Sequence, residues 1–284
     1  MKNIYHFSGA GNDFVVIDGR EGDVSAYREV PRIEALCKQY KTDGLMILGM
    51  PDQVGHDDGS TGSATFMADR DRPSVDFTME FYNPDGSGGM MCGNGGRCIV
   101  AFADYLGIKP ASGGVFLFMA PDGLHTGEIL ERPEDGLWTV RIKMIDVQGI
   151  TPMLGGYFLN TGTRHFVKFV EDVEQIDVEA EGKALRWNEA FAPIGTNVNF
   201  VHIAPDGLHV RTFEKGVEGE TLACGTGLTA SALVAHHAGV PTATPGAYRL
   251  CARQDWLSVN FTPGADEKFT DVYLIGPARL VEIH

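Results

Sequence analysis

A duplicated segment constrains this chain more than any other feature of its 284 residues. Cys92 opens the run Cys-Gly-Asn-Gly, and Cys224 opens Cys-Gly-Thr-Gly 132 positions later. Each run continues into an apolar stretch that ends at a glycine, Gly107 or Gly239, which lies 15 residues after its cysteine. Proline follows closely in both copies, and glycine with proline beyond it is a helix-stop signal. The pattern predicts two equivalent buried helices, one in each of two similar domains.

A second repeat runs in a different register. The hexapeptide Ala-Pro-Asp-Gly-Leu-His occurs at 120–125 and again at 204–209, an offset of 84 residues. The two offsets cannot both mark one duplication. Pro-Asp-Gly between apolar runs is common hairpin chemistry, so we interpret the hexapeptide as coincident turn usage.

Short apolar segments between turn residues predict a chain rich in β-strands. The predicted strands cover residues 14–17, 45–48, 76–82, 115–119, 138–145, 197–203, 208–213 and 257–261. Two more, at 271–275 and 278–283, flank Gly276-Pro277, which predicts a turn. A helix predicted over 28–40 places Cys37 in the core, and the polar segment 52–74 predicts a solvated loop.

Composition excludes several classes of protein. The formal net charge is −15, from 23 basic and 38 acidic residues, which argues against nucleic-acid binding and against a basic membrane-binding surface. No signal peptide is apparent, and no apolar stretch approaches the ~18 residues of a membrane span. Five cysteines are an odd number, which favours free thiols over a disulfide framework. A cytoplasmic protein with reduced thiols is therefore expected.

The position of the two cysteines suggests their chemistry. A helix N-terminus lowers the pKa of a thiol, and flanking glycines leave backbone N–H groups free to bind a carboxylate. Inversion of a stereocentre needs a base on one face and an acid on the other, which a thiolate and a thiol could provide without a cofactor. The alternative is that Cys92 and Cys224 are small buried hydrophobic residues at helix starts.

Other motifs are incomplete. Cys-x-x-Cys is absent, so a zinc ribbon or a thioredoxin-type site is unsupported, and no metal site is predicted. Gly9-Ala10-Gly11 lacks the third glycine of a dinucleotide-binding fingerprint and is followed by a predicted strand rather than a helix.

Several signatures together resemble the diaminopimelate epimerase family over most of the chain. They are Gly9 to Phe14, Thr42 to Leu45, Tyr82 to Ser87, Met91 to Cys98, Glu214 to Gly216, Gly219 to Gly227 and Gly276 to Ala278. The resemblance implies an α+β fold of two duplicated domains, each a curved mixed β-sheet around a central helix, with the active site between them. We expect residues 1–119 and a C-terminal return at 271–284 to form the half that carries Cys92. Residues 120–270 would form the half that carries Cys224.

The resemblance also implies roles for individual residues. Cys92 and Cys224 would be the acid/base pair that interconverts LL- and meso-2,6-diaminopimelate, a precursor of lysine and peptidoglycan. His165 and Glu214 would lie beside the thiols and help to set their protonation. The expected substrate-binding residues are Asn12, Asn83, Gly93, Asn94, Thr163, Asn197, Lys215, Gly225 and Thr226. A small-molecule substrate is the expected partner, and a homodimer is one option for the oligomeric state.

Four positions depart from the family pattern. Thr163-Arg164-His165 stands where the family usually has Asn-Pro-His, Lys215 stands in place of an arginine, and Ser8 replaces a common histidine. Arginine grips a carboxylate through a planar fork, whereas lysine offers a point charge. Proton transfer at Cα is therefore better supported than the identity of the distal group.

Three alternatives stay open at this point. The chain could be a racemase of another amino acid on the same scaffold, which the departures at Thr163, Arg164 and Lys215 motivate. It could be a proton-shuffling isomerase of a carboxylate that is not an amino acid. It could also be a binding protein without catalytic activity, although two intact thiols argue against this.

Overall fold

The structure is a computed structural model that describes residues 3–51, 74–89, 91–253 and 255–284. The predicted polar loop at 52–74 lies outside the described residues except for its last residue. The fold is of the α+β class and is rich in β-sheet, and the described chain contains four α-helices. They are α1 Val30–Tyr40, α2 Gly93–Tyr105, α3 Val178–Arg186 and α4 Gly225–His237.

The two helices predicted from the duplication are present as α2 and α4. Both have 13 residues, and both begin directly after the repeated cysteine. Almost every residue of α2 up to Ala103 and of α4 up to Ala235 is buried, in agreement with their apolar sequences. Each helix is followed by a glycine with a positive φ, Gly107 after α2 and Gly239 after α4. The predicted glycine stop signals are therefore confirmed.

Sixteen strands are present in the described chain. They are β1 Ile4–Ser8, β2 Asp13–Asp18, β3 Gly44–Gly49, β4 Phe77–Tyr82, β5 Val115–Ala120, β6 Gly123–Glu134, β7 Leu137–Lys143, β8 Thr151–Met153, β9 Gly156–Asn160, β10 Arg164–Phe169, β11 Asn197–Ala204, β12 Gly207–Glu214, β13 Gly219–Thr221, β14 Ala247–Ala252, β15 Asp255–Pro263 and β16 Phe269–Ile283. Each of the first eight predicted strands falls on one of these. Several short or partly polar strands, such as β1 and β10, were not predicted.

The pairing of strands repeats between the two halves of the chain. In the first half β1/β2 are antiparallel, β2/β3 parallel, β3/β4 antiparallel, β4/β5 parallel, and β5/β6 and β6/β7 antiparallel. The series β9, β10, β11, β12, β14, β15 and β16 repeats this order of parallel and antiparallel pairs. Helix α2 follows β4, and α4 follows β12 and the short β13. The duplication of the cysteine motif is therefore also a duplication of topology.

The C-terminal strand joins the halves. β16 pairs with β15 of the second half, with β7 and with β1, so β1 to β7 and β16 close into an eight-stranded barrel. The predicted turn at Gly276-Pro277 is wrong, because both residues lie inside β16 opposite Val140 and Thr139 of β7. β6 and β7 also belong to this barrel, so strand pairing favours a boundary between halves after residue 143. The domain boundary after residue 119 stays a prediction.

The repeated hexapeptide forms two tight hairpin connections. Pro121-Asp122 joins β5 to β6, and Pro205-Asp206 joins β11 to β12. These hairpins do not occupy equivalent places, because the first follows the cysteine helix of its half and the second precedes it. The interpretation as coincident turn usage is confirmed.

The core surrounds the two cysteine helices. Residues of α2 and α4 belong to one continuous apolar cluster that also includes strands from both halves. Helix α1 covers β2 and β3 with a separate cluster that contains Cys37, and α3 covers the second half in the same way. In the described part of the chain, no helix has the length and apolar character needed to cross a membrane.

Candidate active site

The N-termini of α2 and α4 meet at Gly93 and Gly225. A Cβ atom added to Gly225 would lie 3.6 Å from the Cα atom of Gly93, so the two first turns are in direct contact. Leu274 of β16 packs against both, since its Cδ2 atom would lie 2.8 Å from a Cβ on Gly93 and 2.9 Å from one on Gly225. Only glycine fits at these two positions without displacement, which explains the glycine that follows each cysteine.

Each cysteine is the N-cap residue of its helix. The backbone of Cys92 is extended, and its Sγ atom accepts a hydrogen bond from the Gly95 amide at 3.2 Å. Cys224 is also extended, and its Sγ atom lies 3.4 Å from the hydroxyl of Thr226. Both thiols are free. The sequence prediction that the cysteines stand at two helix starts is confirmed, while their role in catalysis stays a prediction.

Burial dominates the titration of both thiols. It raises the pKa of Cys92, against the Gly95 amide and the positive charge of Arg97, which act in the opposite direction. Burial, followed by the negative charge of Glu214, raises the pKa of Cys224 to about 12. The expectation of a lowered thiol pKa is therefore wrong for this state of the protein, because desolvation outweighs the favourable helix N-termini.

Asn94 links the two halves at this junction. Its amide nitrogen donates to Oδ1 of Asn12 at 2.5 Å and to the carbonyl of Ala223 at 3.4 Å. Asn12 comes from the loop between β1 and β2, and Ala223 precedes Cys224. These bonds bring together residues from both signatures beside the helix starts.

A buried arginine stiffens the same region. Arg97 is fully buried and donates to the carbonyls of Pro277, Gly93 and Gly9 and to Oδ1 of Asn94. All four acceptors are neutral, and the positive charge of the guanidinium acts on Cys92, whose pKa it lowers. Burial lowers the pKa of Arg97.

Around Cys224, a polar cluster is built from β10 and β11. His165 is fully buried, and its Nε2 atom lies 3.0 Å from the hydroxyls of both Thr163 and Thr226. Its Nδ1 atom lies 3.0 Å from the side-chain nitrogen of Asn199. Burial lowers the pKa of His165 to about 3, so the ring is neutral at neutral pH.

Asn197 extends this cluster toward the loop that follows β12. It lies opposite His165 in the parallel pair β10/β11, and its amide nitrogen donates to the hydroxyl of Thr163 and the carbonyl of Arg164. Its Oδ1 atom accepts from the backbone amide of Lys215 at 2.8 Å. Asn197 therefore ties three of the predicted site residues together.

Glu214 ends β12 and lies close enough to both thiols for its charge to act on them. Its carboxylate accepts a hydrogen bond from Thr221 at 3.0 Å. Burial raises the pKa of Glu214, which favours its neutral form more than in water.

Two residues that the sequence suggested for the site, Asn83 and Arg164, form hydrogen bonds outside this polar cluster. Asn83 bonds to the side chain and the backbone of Ser87 within its own turn. The guanidinium of Arg164 donates to the carbonyls of Phe191 at 3.2 Å and Gly195 at 3.5 Å, and lies over the ring of Phe158.

Sequence reasoning missed Asn199 and the central position of Arg97. The strand segment Asn197-Val198-Asn199 carried a usable signal, because residues two apart share a face and two buried amides on one face need partners. No local signal shows that the side chain of Arg97 lies under the helix junction.

The fold is shared with solved structures of low sequence identity. A PhzF-family phenazine biosynthesis protein of Bacillus anthracis matches with a TM-score of 0.69 at 13% identity, over 100% of this chain and 98% of that chain. A probable proline racemase from Agrobacterium radiobacter matches with a TM-score of 0.62 at 13% identity, over 100% and 92%. At this level of identity the two matches establish the fold that the chain shares with these proteins.

Comparison with curated sequences defines the class of protein, an isomerase of the epimerase and racemase type. A diaminopimelate epimerase of Chlorobaculum tepidum is 37% identical over 96% of this chain and 97% of its own length. One of Flavobacterium psychrophilum is 34% identical over 98% and 97%. The family model described as diaminopimelate epimerase matches residues 157–249. The chain belongs to the diaminopimelate epimerase family.

Proposed function

We propose that the protein interconverts LL- and meso-2,6-diaminopimelate by moving the α-proton between Cys92 and Cys224. One observation carries the proposal: two helix N-termini, each capped by a cysteine, meet at Gly93 and Gly225. The names of the curated relatives support the same substrate. The product would serve the synthesis of lysine and of peptidoglycan precursors.

Proton transfer uses the two thiols in opposite states. One cysteine, as thiolate, takes the proton from Cα and becomes a thiol. The other, as thiol, gives its proton to the opposite face and becomes a thiolate, so the charge of the pair is unchanged and the roles swap with direction. The proposal needs no cofactor, because the thiols carry the proton themselves.

Backbone amides are proposed to hold the α-carboxylate. The first intrahelical bonds to the cysteine carbonyls start at Gly96 in α2 and Leu228 in α4. The amides of Gly93, Asn94, Gly225 and Thr226 precede them and suit a carboxylate at the junction. Hydrogen bonds to this group strengthen as negative charge develops during removal of the α-proton.

Recognition of the distal group is assigned to Lys215 and Thr163. Arg164 is satisfied by two carbonyls, so it is a poor candidate to replace the arginine usual in the family. Asn197 fixes the backbone of Lys215 and donates to Thr163, which leaves the hydroxyl proton of Thr163 for a substrate oxygen. A lysine point charge binds a carboxylate with less directional constraint than an arginine fork.

A cytoplasmic location is also proposed. It is supported by the five free thiols of the described chain, which a reducing compartment would keep active.

Deuterium exchange tests the proposed function directly. The purified reduced protein is incubated in D₂O with LL-diaminopimelate, and mass spectrometry and chiral chromatography follow α-deuteration and inversion. We expect deuterium to enter the product at the inverted centre. No exchange into diaminopimelate under reducing conditions would overturn the proposal.

A racemase of another amino acid is the second candidate, favoured by the lysine at position 215. The same D₂O experiment with a panel of other amino acids separates the two. Exchange in a different amino acid, together with none in diaminopimelate, would establish this alternative.

A further inference from the structure

The orientation of the Asn199 amide is fixed by its neighbours. Its nitrogen donates to the backbone carbonyl of Phe166 at 3.2 Å, and a carbonyl can only accept. Its oxygen accepts from the hydroxyl of Thr212 at 3.0 Å. The nitrogen of Asn199 therefore faces His165 and donates to its Nδ1 atom at 3.0 Å.

This bond selects one tautomer of His165. An Nδ1 atom that accepts from Asn199 carries no proton, so the neutral ring must carry its proton on Nε2. A second ring proton, on Nδ1, would point at the N–H group of Asn199, so the neutral ring is favoured over the charged one. Burial also keeps the ring neutral, because it lowers the pKa of His165 to about 3.

The tautomer in turn orients Thr226. A protonated Nε2 atom cannot accept a hydrogen bond, so neither hydroxyl that lies 3.0 Å from it, that of Thr226 or that of Thr163, can donate to it. The two hydroxyls share the ring N–H group as acceptors. Within the described structure, the other side-chain partner of the Thr226 hydroxyl is Sγ of Cys224 at 3.4 Å. The hydroxyl proton is therefore directed at the sulfur.

We propose that Asn199, His165 and Thr226 form a fixed hydrogen-bond relay that supplies a donor to Cys224 and favours its thiolate form. Asn199 and His165 are positioning residues, and His165 acts as a neutral donor rather than as an acid or base. The hydrogen bonds of the relay are made by the protein's own residues, and its catalytic consequence rests on the proposed function. It adds a side-chain donor to the backbone amide of Gly227, which also lowers the pKa of Cys224, as the Gly95 amide does at Cys92.

Close packing holds the relay in place. A Cβ atom on Gly227 would lie 2.3 Å from Oδ1 of Asn199, so the first turn of α4 rests against this amide. The titratable groups whose charges act on Cys224 are Glu214 and Cys92, and both raise its pKa. The hydrogen bond from Thr226 lowers the pKa of Cys224 and so opposes the effect of these two charges.

Alkylation of Cys224 by iodoacetamide tests the relay without substrate. Peptide mass spectrometry follows the rate at Cys224 and at Cys92 against pH in the wild type, Thr226→Val and Thr226→Ser. A hydrogen bond to a charged sulfur is lost in the valine variant, so we expect the Cys224 midpoint to rise by about one pH unit, which lowers its alkylation rate about tenfold at every pH below the midpoint. The serine variant should restore it, and the Cys92 midpoint should stay in place. An unchanged Cys224 profile in Thr226→Val, or a shift that serine does not reverse, would overturn the relay.

A second variant tests the tautomer. In Asn199→Asp the ring proton should move to Nδ1, which ¹⁵N spectra of labelled histidine report. The Thr226 hydroxyl would then donate to Nε2, so the Cys224 midpoint should rise although Thr226 is intact. Adding Thr226→Val should give no further shift. Additive shifts, or a protonated Nδ1 in the wild type, would contradict the proposal. Because no substrate is used, these outcomes are independent of whether diaminopimelate is epimerised.

Discussion

Gly93 and Gly225 lie 132 positions apart in the chain, yet a Cβ atom on one would come within 3.6 Å of the Cα atom of the other. This contact brings the positive ends of α2 and α4 together beneath Leu274. It also brings Cys92 close enough to Cys224 for the charge of one thiolate to act on the other. The site is therefore a product of the duplication, since neither half contains both thiols.

Removal of either thiol should stop inversion. We expect Cys92→Ala and Cys224→Ala each to lower kcat for epimerisation by about 10² to 10⁴, the range for loss of a general acid or base. Cys251→Ala, on β14, is the matched control and should keep full activity. Circular dichroism should show folded protein in all three variants, and full activity in either of the first two would contradict the two-base assignment.

Crowding the helix junction should cost stability and activity together. Gly225→Ala brings a methyl group within 2.9 Å of Leu274, so we expect a loss of about 1 to 3 kcal/mol in the free energy of unfolding. Leu274→Ala in the same chain should recover part of this loss. Urea denaturation of the two single variants and the double variant gives the coupling, and simple additivity would argue against direct contact.

Glu214 should shift the pH dependence of the reaction. Its negative charge raises the pKa of both thiols, and the reactive thiolate forms as pH rises through those values. The value of kcat/KM should therefore increase with pH, and Glu214→Gln should move the rising limb to lower pH. Glu131→Gln, an exposed change on β6, serves as the control. If the rising limb moved to higher pH in Glu214→Gln, the negative charge of Glu214 would not be what raises the pKa of the thiols.

His165 should make the fold sensitive to acid. Its pKa is lowered to about 3 in the folded chain, against an ordinary value near 6.5, so the unfolded chain binds the extra proton between these values. Stability should fall as pH drops from about 6.5 toward 3, by at most about 1.4 kcal/mol per pH unit from this group. Denaturation curves of wild type and His165→Gln should diverge in this range. Parallel curves would mean that the histidine is not buried in neutral form.

Lys215 should govern affinity for the distal carboxylate. We expect Lys215→Met to raise KM for diaminopimelate by about tenfold, as a charged contact is lost, with a smaller effect on kcat. Lys215→Arg should keep KM near or below the wild-type value. Lys168→Met, which removes a partner of Glu181 on the surface, is the control. Equal KM values in all variants would assign the distal group to other residues.

Much of the architecture was accessible from local signals. Cys92 and Cys224 at helix starts, the lengths of α2 and α4, and strands such as β4 follow from glycine stops, apolar runs and alternation. The turn predicted at Gly276-Pro277 was wrong because turn-forming residues also occur in strands. Pro277 lies opposite Thr139 of β7 in such a strand, and its carbonyl accepts a hydrogen bond from Arg97. The lowered thiol pKa was also mispredicted, since burial is a property of the whole fold and not of a motif.

The sequence by itself determined that two equivalent helices begin at two cysteines, because caps, glycines and apolar periodicity act within a few residues. Only the tertiary structure decided that Gly93 meets Gly225, that β16 closes the first barrel, and that Asn199 reaches His165 and Thr226. These contacts join residues from distant parts of the chain, and local sequence does not encode which buried polar atoms will find each other. Buried polar atoms that lack hydrogen-bond partners destabilise a desolvated interior. This is the physical reason that the fold brings such atoms together.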